Sequence, residues 1–331
     1  MEEWSPIENN PGLFTQLIKN IGVKGVQIEE ILSYDFFENI TIPIYGLIFI
    51  SKYTKNISYT PNILPNWDKD LFFSKQLYQN SNAIQSILEI LLNNDNIIDI
   101  GPNLKELKSS MGEMDPLTRG LTISNCEYLK QEQFKLNNNV QNGLNKNDED
   151  VYHFITYINY KNAIYELDGL QEGPILIENN VSFDDWIKKV KPFLMEKINY
   201  YSNNEIEFNL MALIPDKLEQ LSNNKNVLIS KKNYIEEKIK GNIEIKNENE
   251  FKEINKMNKE QLEENLKKIE LEINESNNGI NIEKMKINKY KEESERKQHN
   301  YTPFIFEFLK IMAQNNILGE IYQQNINEQN K

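Results

Sequence analysis

The sequence predicts an α/β (α+β) fold followed by an α-helical C-terminal extension, and two features of its 331 residues carry that prediction. Up to about residue 215, apolar runs of strand length alternate with helical patterns, which is typical of a domain built around a central sheet. After Pro215 the chain becomes rich in Lys and Glu, with apolar residues at helical spacing. We therefore expect one domain over 1–220 and a helical extension over 221–331.

Four runs in the first part have the composition of strands. The run 42–51 is β-branched and aromatic, 151–160 alternates, 163–168 ends at Gly169, and the last spans 207–213. Between the first two runs, the mostly apolar stretch 83–92 follows Asn80 and Ser81, which are residue types that cap helices. This stretch is predicted to form a central, buried helix.

The segment 137–150 has no periodicity and many Asn residues, so it is predicted to be a mobile loop directly ahead of the strand that carries His153. In the extension, apolar residues recur at i, i+4, i+7 and i+11, which predicts the seam of a paired helix: Leu262, Leu266, Ile269 and Ile273. The polar stretch 274–279 interrupts this pattern and favours a helical hairpin. A last helix is predicted from Pro303, with Phe304, Phe308 and Met312 on one face.

Charge and composition exclude several classes of protein. The net charge of −13 repels a phosphate backbone and an anionic membrane surface, so we expect a basic partner and neither nucleic acid nor membrane. The chain has no apolar run of about 18 residues and no cationic flank at its acidic start, which favours a cytoplasmic or nuclear location. One cysteine, Cys126, and two histidines cannot build a disulfide or a Cys/His metal site, so no cofactor is expected.

His153 and Asp168 are the first candidates for chemistry. They lie near the start and at the end of two consecutive strand-like runs, so adjacent strands would let the carboxylate hold the imidazole in one tautomer. Each residue also has a structural interpretation. A histidine in a strand is often simply packed, and Asp-Gly is a common turn.

Several short motifs, in order along the chain, resemble the ubiquitin carboxyl-terminal hydrolase family: NPGLF at 10–14, GVQIEE at 25–30, YGLIF at 45–49, and YELDGL at 165–170 with Gly173-Pro174. In addition, KQHNYTPFI at 297–305 is similar to the helical extension of the long family member that associates with the proteasome and a chromatin remodeller. The resemblance covers the whole chain. It implies a papain-like cysteine peptidase fold with an α-helical extension.

The resemblance also implies roles for four positions. Gln76 would be the oxyanion donor, position 82 the nucleophile, His153 the base and Asp168 its orienter, but position 82 is Asn where the family has Cys. A thiol with a pKa of about 8.5 becomes a thiolate beside an imidazolium and a helix N-terminus, whereas a carboxamide has no comparable ionisation. We therefore predict that peptidase activity is absent, and that Asn82 caps the helix or joins a hydrogen-bonded cluster with the retained residues.

Other side chains are poor replacements for the nucleophile. Ser81 is rotated by about 100° around the helix, and Ser86 lies about 6 Å further along its axis. Neither meets the near-attack distance of about 3 Å. Cys126 falls where the family has no catalytic residue, and it is expected to be a small, partly buried thiol.

Three hypotheses for function follow. The chain is a ubiquitin-binding protein of the hydrolase family without turnover, or an active thiol-dependent deubiquitinase if Asn82 is an engineered or sequencing change. The third is a docking subunit that acts through its extension. For the last hypothesis the resemblance implies the proteasome or a chromatin-remodelling complex as partner, although the end of the chain lacks the basic tail expected of the family.

Overall fold

A computed structural model of the chain describes residues 4–32, 37, 42–52, 63–78, 80–136, 152–241, 251–315 and 317–319. The predicted loop 137–150 lies outside these residues. The described elements, in chain order, are α1 (Pro11–Asn20), β1 (Val26–Glu30), β2 (Gly46–Lys52), α2 (Asn82–Asn93), α3 (Gly101–Ser110), α4 (Pro116–Ser124), α5 (Glu127–Leu136), β3 (Tyr152–Tyr160), β4 (Ala163–Leu167), β5 (Ile175–Asn179), α6 (Trp186–Asn203), β6 (Phe208–Pro215), α7 (Lys217–Ile239), α8 (Lys252–Lys256), α9 (Lys259–Gln298) and α10 (Thr302–Gln314).

The six strands form one antiparallel sheet in the order β1-β6-β2-β3-β4-β5. The predicted α+β class is confirmed, and the four predicted strands are β2, β3, β4 and β6. Sequence reasoning did not identify β1 and β5 as strands. Both are five-residue strands at the sheet edges, and β5 is only partly buried, so their apolar patterns are short.

The sheet is covered on both faces, which explains the apolar strands. In β2, Ile48 and Ile50 face the core that contains α1 and α2, whereas Leu47 and Phe49 face the core that contains α6. A strand buried on both faces reads as a continuous apolar run rather than an alternating one. Every residue of α2 is buried, as predicted for a central helix.

The extension is a hairpin of α7 and α9, with the predicted seam inside it. Leu262 and Ile269 are buried against α7 residues such as Leu228 and Ile235, and the other two seam positions pack beside them. The predicted break at 274–279 is wrong, because α9 runs through it without interruption. Asn, Ser and Gly each cost a helix only about 1 kcal/mol or less. At Gly279, moreover, an added Cβ would lie 3.2 Å from the Leu221 side chain, so the missing side chain permits close packing of α7 on α9.

The extension docks on the first domain through α9. Gln27 Nε2 donates to Glu283 Oε1 at 3.0 Å, and Lys286 lies 3.4 Å from Glu29. Tyr290 packs closely against Gly12, because a Cβ added to Gly12 would lie only 2.7 Å from the Cβ of Tyr290. No helix among the described residues is long and apolar enough to cross a membrane.

Candidate active site

β3 and β4 bring His153 and Asp168 together as the sequence predicts. The two strands pair in antiparallel register from Thr156–Leu167 to Tyr160–Ala163, which places His153 beside the residue that follows β4. His153 Nε2 lies 2.8 Å from Asp168 Oδ1. Because an ionised carboxylate only accepts hydrogen bonds, Nε2 is the donor in this bond and carries the proton.

Asp168 is held in the ionised form. Burial raises the pKa of its carboxyl, but the hydrogen bond and the charge interaction with His153, with further bonds from the Leu170 amide and the Gln171 side chain, outweigh burial and bring the pKa below its usual value. The Leu170 amide donates to Oδ1 at 3.0 Å and Gln171 Nε2 donates to Oδ2 at 3.2 Å. The carboxylate is therefore fixed on three sides and can orient the imidazole.

Asn82 is the first residue of α2, and the structure corrects its predicted role as the helix cap. The N-cap residue is Ser81, whose side chain makes no capping hydrogen bond. Asn82 instead donates from Nδ2 to the Tyr152 carbonyl at 2.6 Å and accepts at Oδ1 from the Ala83 amide at 3.0 Å. The amide thus joins α2 to the backbone of β3 immediately before His153, and it bonds no side chain among the described residues.

Gln76 lies on the irregular segment 71–77, which runs beside the loop that contains Asp168. Its backbone amide donates to the Gly169 carbonyl at 2.8 Å, and a Cβ on Gly169 would lie 2.9 Å from that of Gln76. α4 supports this segment from behind, because the Lys75 amide donates to the Pro116 carbonyl at 2.9 Å. The Gln76 side chain makes no hydrogen bond with the described part of the chain, so its amide is available to a ligand.

The four predicted site residues are therefore linked by an unbroken series of contacts. Gln76 bonds the residue next to Asp168, Asp168 bonds His153, and the residue before His153 bonds Asn82. The two serines that were predicted to be poor replacements for the nucleophile bond backbone carbonyls: Ser81 Oγ donates to the Tyr78 carbonyl and Ser86 Oγ to the Asn82 carbonyl. Cys126 is partly buried at the edge of the core, as expected.

Most of the chain matches models of one known family. The family model for ubiquitin carboxyl-terminal hydrolase, family 1, matches residues 4–199, and a second ubiquitin carboxyl-terminal hydrolase model matches 273–318. The chain belongs to the ubiquitin carboxyl-terminal hydrolase family. The second match covers the C-terminal part of α9 and all of α10, so this part of the extension also matches the family.

Relatives agree over nearly the whole length. The chain is 33% identical to ubiquitin carboxyl-terminal hydrolase ubh-4 of Caenorhabditis elegans over 94% of this chain and 87% of that protein. It is 34% identical to isozyme L5 of Dictyostelium discoideum over 98% and 95%. A crystal structure of Trichinella spiralis UCH37 bound to ubiquitin vinyl methyl ester superposes with a TM-score of 0.61 at 28% identity, covering 87% of this chain and 99% of that one. The papain-like fold predicted from the motifs is confirmed.

Glu89 lies next to the candidate site and was not predicted from the sequence. It follows Asn82 by seven residues, hence on the same face of α2, and its side chain is buried between β3 and the Gln76 segment. Burial raises the pKa of its carboxyl well above the usual value, although the Thr156 hydroxyl and the Ser74 backbone face it and lower the pKa; the Asp168 charge raises it further. Its Oε1 has no hydrogen bond of ordinary geometry within the described structure.

The pKa values of the Glu89 and Asp168 carboxyls are therefore shifted in opposite directions, and the two groups interact electrostatically. A charged residue type inside an otherwise apolar helix was the signal in the sequence that marked this position. Elsewhere in the residues that the structure describes, no group of three or more His, Cys, Asp or Glu side chains is arranged to hold a metal ion.

Proposed function

We propose that this chain is a ubiquitin-binding member of the hydrolase family that does not cleave ubiquitin conjugates. The observation that carries the proposal is position 82. A carboxamide is present at the N-terminus of α2, close to the His153–Asp168 pair, and the Gln76 side chain makes no hydrogen bond with the described part of the chain. The assignment of nucleophile, base, orienter and oxyanion donor to these four residues is part of the proposal.

The chemistry of position 82 supports the absence of turnover. The nitrogen lone pair of an amide is delocalised into its carbonyl, so His153 has no useful proton to remove and no thiolate forms. Asn82 is also committed to two backbone hydrogen bonds, which fix its amide in place. Removing the nucleophile of a catalytic triad costs on the order of a millionfold in rate.

Ubiquitin binding is supported by the relative whose structure contains a ubiquitin derivative and by charge. Trichinella spiralis UCH37, which superposes on most of this chain, was crystallised with ubiquitin vinyl methyl ester. The net charge of −13 favours the basic tail of ubiquitin through long-range attraction. A fold that retains its site elements without a nucleophile is suited to holding that tail.

The test combines a binding measurement with a turnover measurement. We expect the unmodified protein to bind ubiquitin with a dissociation constant below millimolar and to leave a fluorogenic ubiquitin substrate uncut. The Asn82→Cys variant is expected to cleave the substrate, and a double variant that adds His153→Ala is the matched control that should not. Turnover by the unmodified protein would overturn the proposal, and a Cys codon at position 82 in the coding sequence would restore the active-hydrolase hypothesis.

A second candidate function is docking through the extension. α10 has none of its residues buried in the chain, although it is one of the most apolar helices. The family resemblance suggests the proteasome or a chromatin-remodelling complex as the partner. If α10 is the docking element, a chain truncated after 300 will lose co-purifying partners while its affinity for ubiquitin is unchanged; retention of the partners would argue against it.

A further inference from the structure

Three buried polar side chains of α2 lie on one face of this mostly apolar helix. Gln85, Glu89 and Asn93 recur at i, i+4 and i+8, and all three are buried. Burying a polar group is unfavourable unless it finds a hydrogen-bond partner, and an apolar side chain would cover the same surface without that cost. The partners of these groups therefore indicate what this polar face of α2 does.

The polar face bonds the backbone of the segment 71–77, which carries Gln76. The Phe72 amide donates to Asn93 Oδ1 at 2.8 Å, and Asn93 Nδ2 donates to the Phe72 carbonyl at 2.8 Å. Gln85 Nε2 donates to the Ser74 carbonyl at 2.8 Å and to Ser74 Oγ at 2.7 Å. The helix thus bonds this irregular segment as a neighbouring strand would.

These bonds also fix the direction of the segment. From Phe72 to Ser74 the bonded partner changes from Asn93 to Gln85, which lies about two turns nearer the N-terminus of α2. The segment therefore runs along α2 towards its N-terminus, and Gln76 follows two residues after Ser74. Where a chain is extended, successive side chains point to opposite sides, so a slip of one residue would turn the Gln76 side chain away.

We propose that Gln85 and Asn93 are positioning residues, which set the place of the Gln76 side chain relative to the N-terminus of α2. The proposal rests on the proposed function, because that is where Gln76 is assigned as the oxyanion donor, and it names what holds this donor in place. A donor stabilises an oxyanion only at hydrogen-bond distance from the position that the charged oxygen reaches. A displacement of about 1 Å costs on the order of a hundredfold in rate.

The first test measures turnover in the full-length Asn82→Cys variant, which the proposed function expects to cleave a fluorogenic ubiquitin substrate. Adding Gln85→Met keeps a side chain of similar length but removes both bonds to Ser74. We expect kcat to fall about tenfold and KM to change much less, because an oxyanion donor acts in the transition state. Gln131→Met, at an exposed position of α5, is the matched control and should change neither quantity.

A double-mutant cycle shows whether Gln85 acts through Gln76. In the same Asn82→Cys chain, Gln76→Ala should lower kcat about a hundredfold, which is the scale of one lost oxyanion donor. Gln85→Met should then lower kcat no further, because the group that it positions is gone. The same tenfold loss with and without Gln76 would mean that Gln85 only supports the fold, and it would overturn the proposal.

Hydrogen exchange separates this inference from the proposed function, because it needs no turnover. In the otherwise unmodified chain, Gln85→Met and Asn93→Leu should each speed exchange of the amides in 72–76 about tenfold relative to those of β3. Unchanged exchange there would overturn the inference whatever the kinetics show. If exchange responds but Asn82→Cys does not cleave, the proposed function is overturned, whereas the placement of Gln76 by α2 stands.

Discussion

Two apolar helices of similar length have opposite surroundings. α2 has twelve residues, all buried, and α10 has thirteen, none of them buried. An apolar composition therefore indicates that a helix tends to be buried, but it does not identify the surface that buries it. For α2 the chain's own sheet does so, and among the residues that the structure describes nothing covers α10.

This difference separates two kinds of site. The N-terminus of α2 presents Asn82 from a helix fixed by packing on every side, so the position of its amide is determined by the core. α10 presents side chains whose burial awaits another molecule. The first suits recognition of one small group, and the second suits attachment to a large surface.

The largest expected effect is a difference in stability between a variant of α2 and a matched variant of α10. Leu88→Ala in α2 removes a side chain with no exposure and should lower the free energy of unfolding by about 3–5 kcal/mol, because a cavity remains in a close-packed core. Leu309→Ala in α10, at 43% exposure, is the matched variant and should cost less than about 1 kcal/mol. Denaturant unfolding followed by circular dichroism measures both, and similar costs would show that α10 is covered in solution.

The next effect tests how the Gln76 segment is held. A Cβ on Gly120 of α4 would lie 2.1 Å from the Lys75 carbonyl oxygen, a backbone atom that cannot move without shifting its neighbour Gln76. Gly120→Ala should therefore destabilise the protein by about 1–3 kcal/mol and weaken ubiquitin binding. On Gly112 the added Cβ would make an ordinary contact at 3.5 Å, so Gly112→Ala is the control that should alter neither quantity.

A smaller effect distinguishes the two carboxyls near α2. Because the pKa of folded Glu89 is raised, its contribution to stability is fully present below the unfolded value of 4.5 and is lost as the pH rises toward the folded pKa. Glu89→Gln should abolish this decrease in the free energy of unfolding. For one carboxyl the decrease is about 1.4 kcal/mol for each pH unit between the unfolded and the folded pKa. Thermal unfolding between pH 5 and 8 measures the slope, and exposed Glu106→Gln should leave it as in the unmodified protein.

The contribution of Asp168 to stability should change with pH in the opposite direction. Its folded pKa lies below the unfolded value of 3.8, so its stabilising contribution is present above that value and is lost as the pH falls through the folded pKa. Asp168→Asn should flatten stability on the acid side, where Glu89→Gln has no effect. A change of the same sign in both variants would contradict the opposite pKa shifts of Glu89 and Asp168.

Sequence patterns predicted the parts of the fold that are strongly apolar or carry motifs. β2, β3, β4, β6 and α2 follow from long apolar runs, and the adjacency of His153 and Asp168 follows from consecutive strands. The edge strands were missed because five residues leave little periodicity. The roles of the site residues came from the resemblance and remain predictions.

Other features depend on packing across the chain, which local patterns do not encode. The polar stretch 274–279 reads as a break, yet α9 continues because tertiary contacts, such as those of Gly279 with Leu221, outweigh weak local propensity. Likewise, Asn82 follows a good capping sequence, but its amide bonds Tyr152 on a strand seventy residues away. Neither contact is visible at helical or strand spacing.

The smallest effect on stability is expected in α10 and has the clearest functional consequence. Phe304→Asp and Phe308→Asp change side chains that are 66% and 53% exposed, so the free energy of unfolding should change by no more than about 0.5 kcal/mol. Both variants should nevertheless lose any partner that docks on this face, because a buried, unpaired carboxylate opposes association. Pull-down compared with urea unfolding measures the two quantities. If both variants lose much stability but retain their partners, α10 packs on its own chain. It would then be a buried helix, as α2 is, and there would be no basis for a docking function.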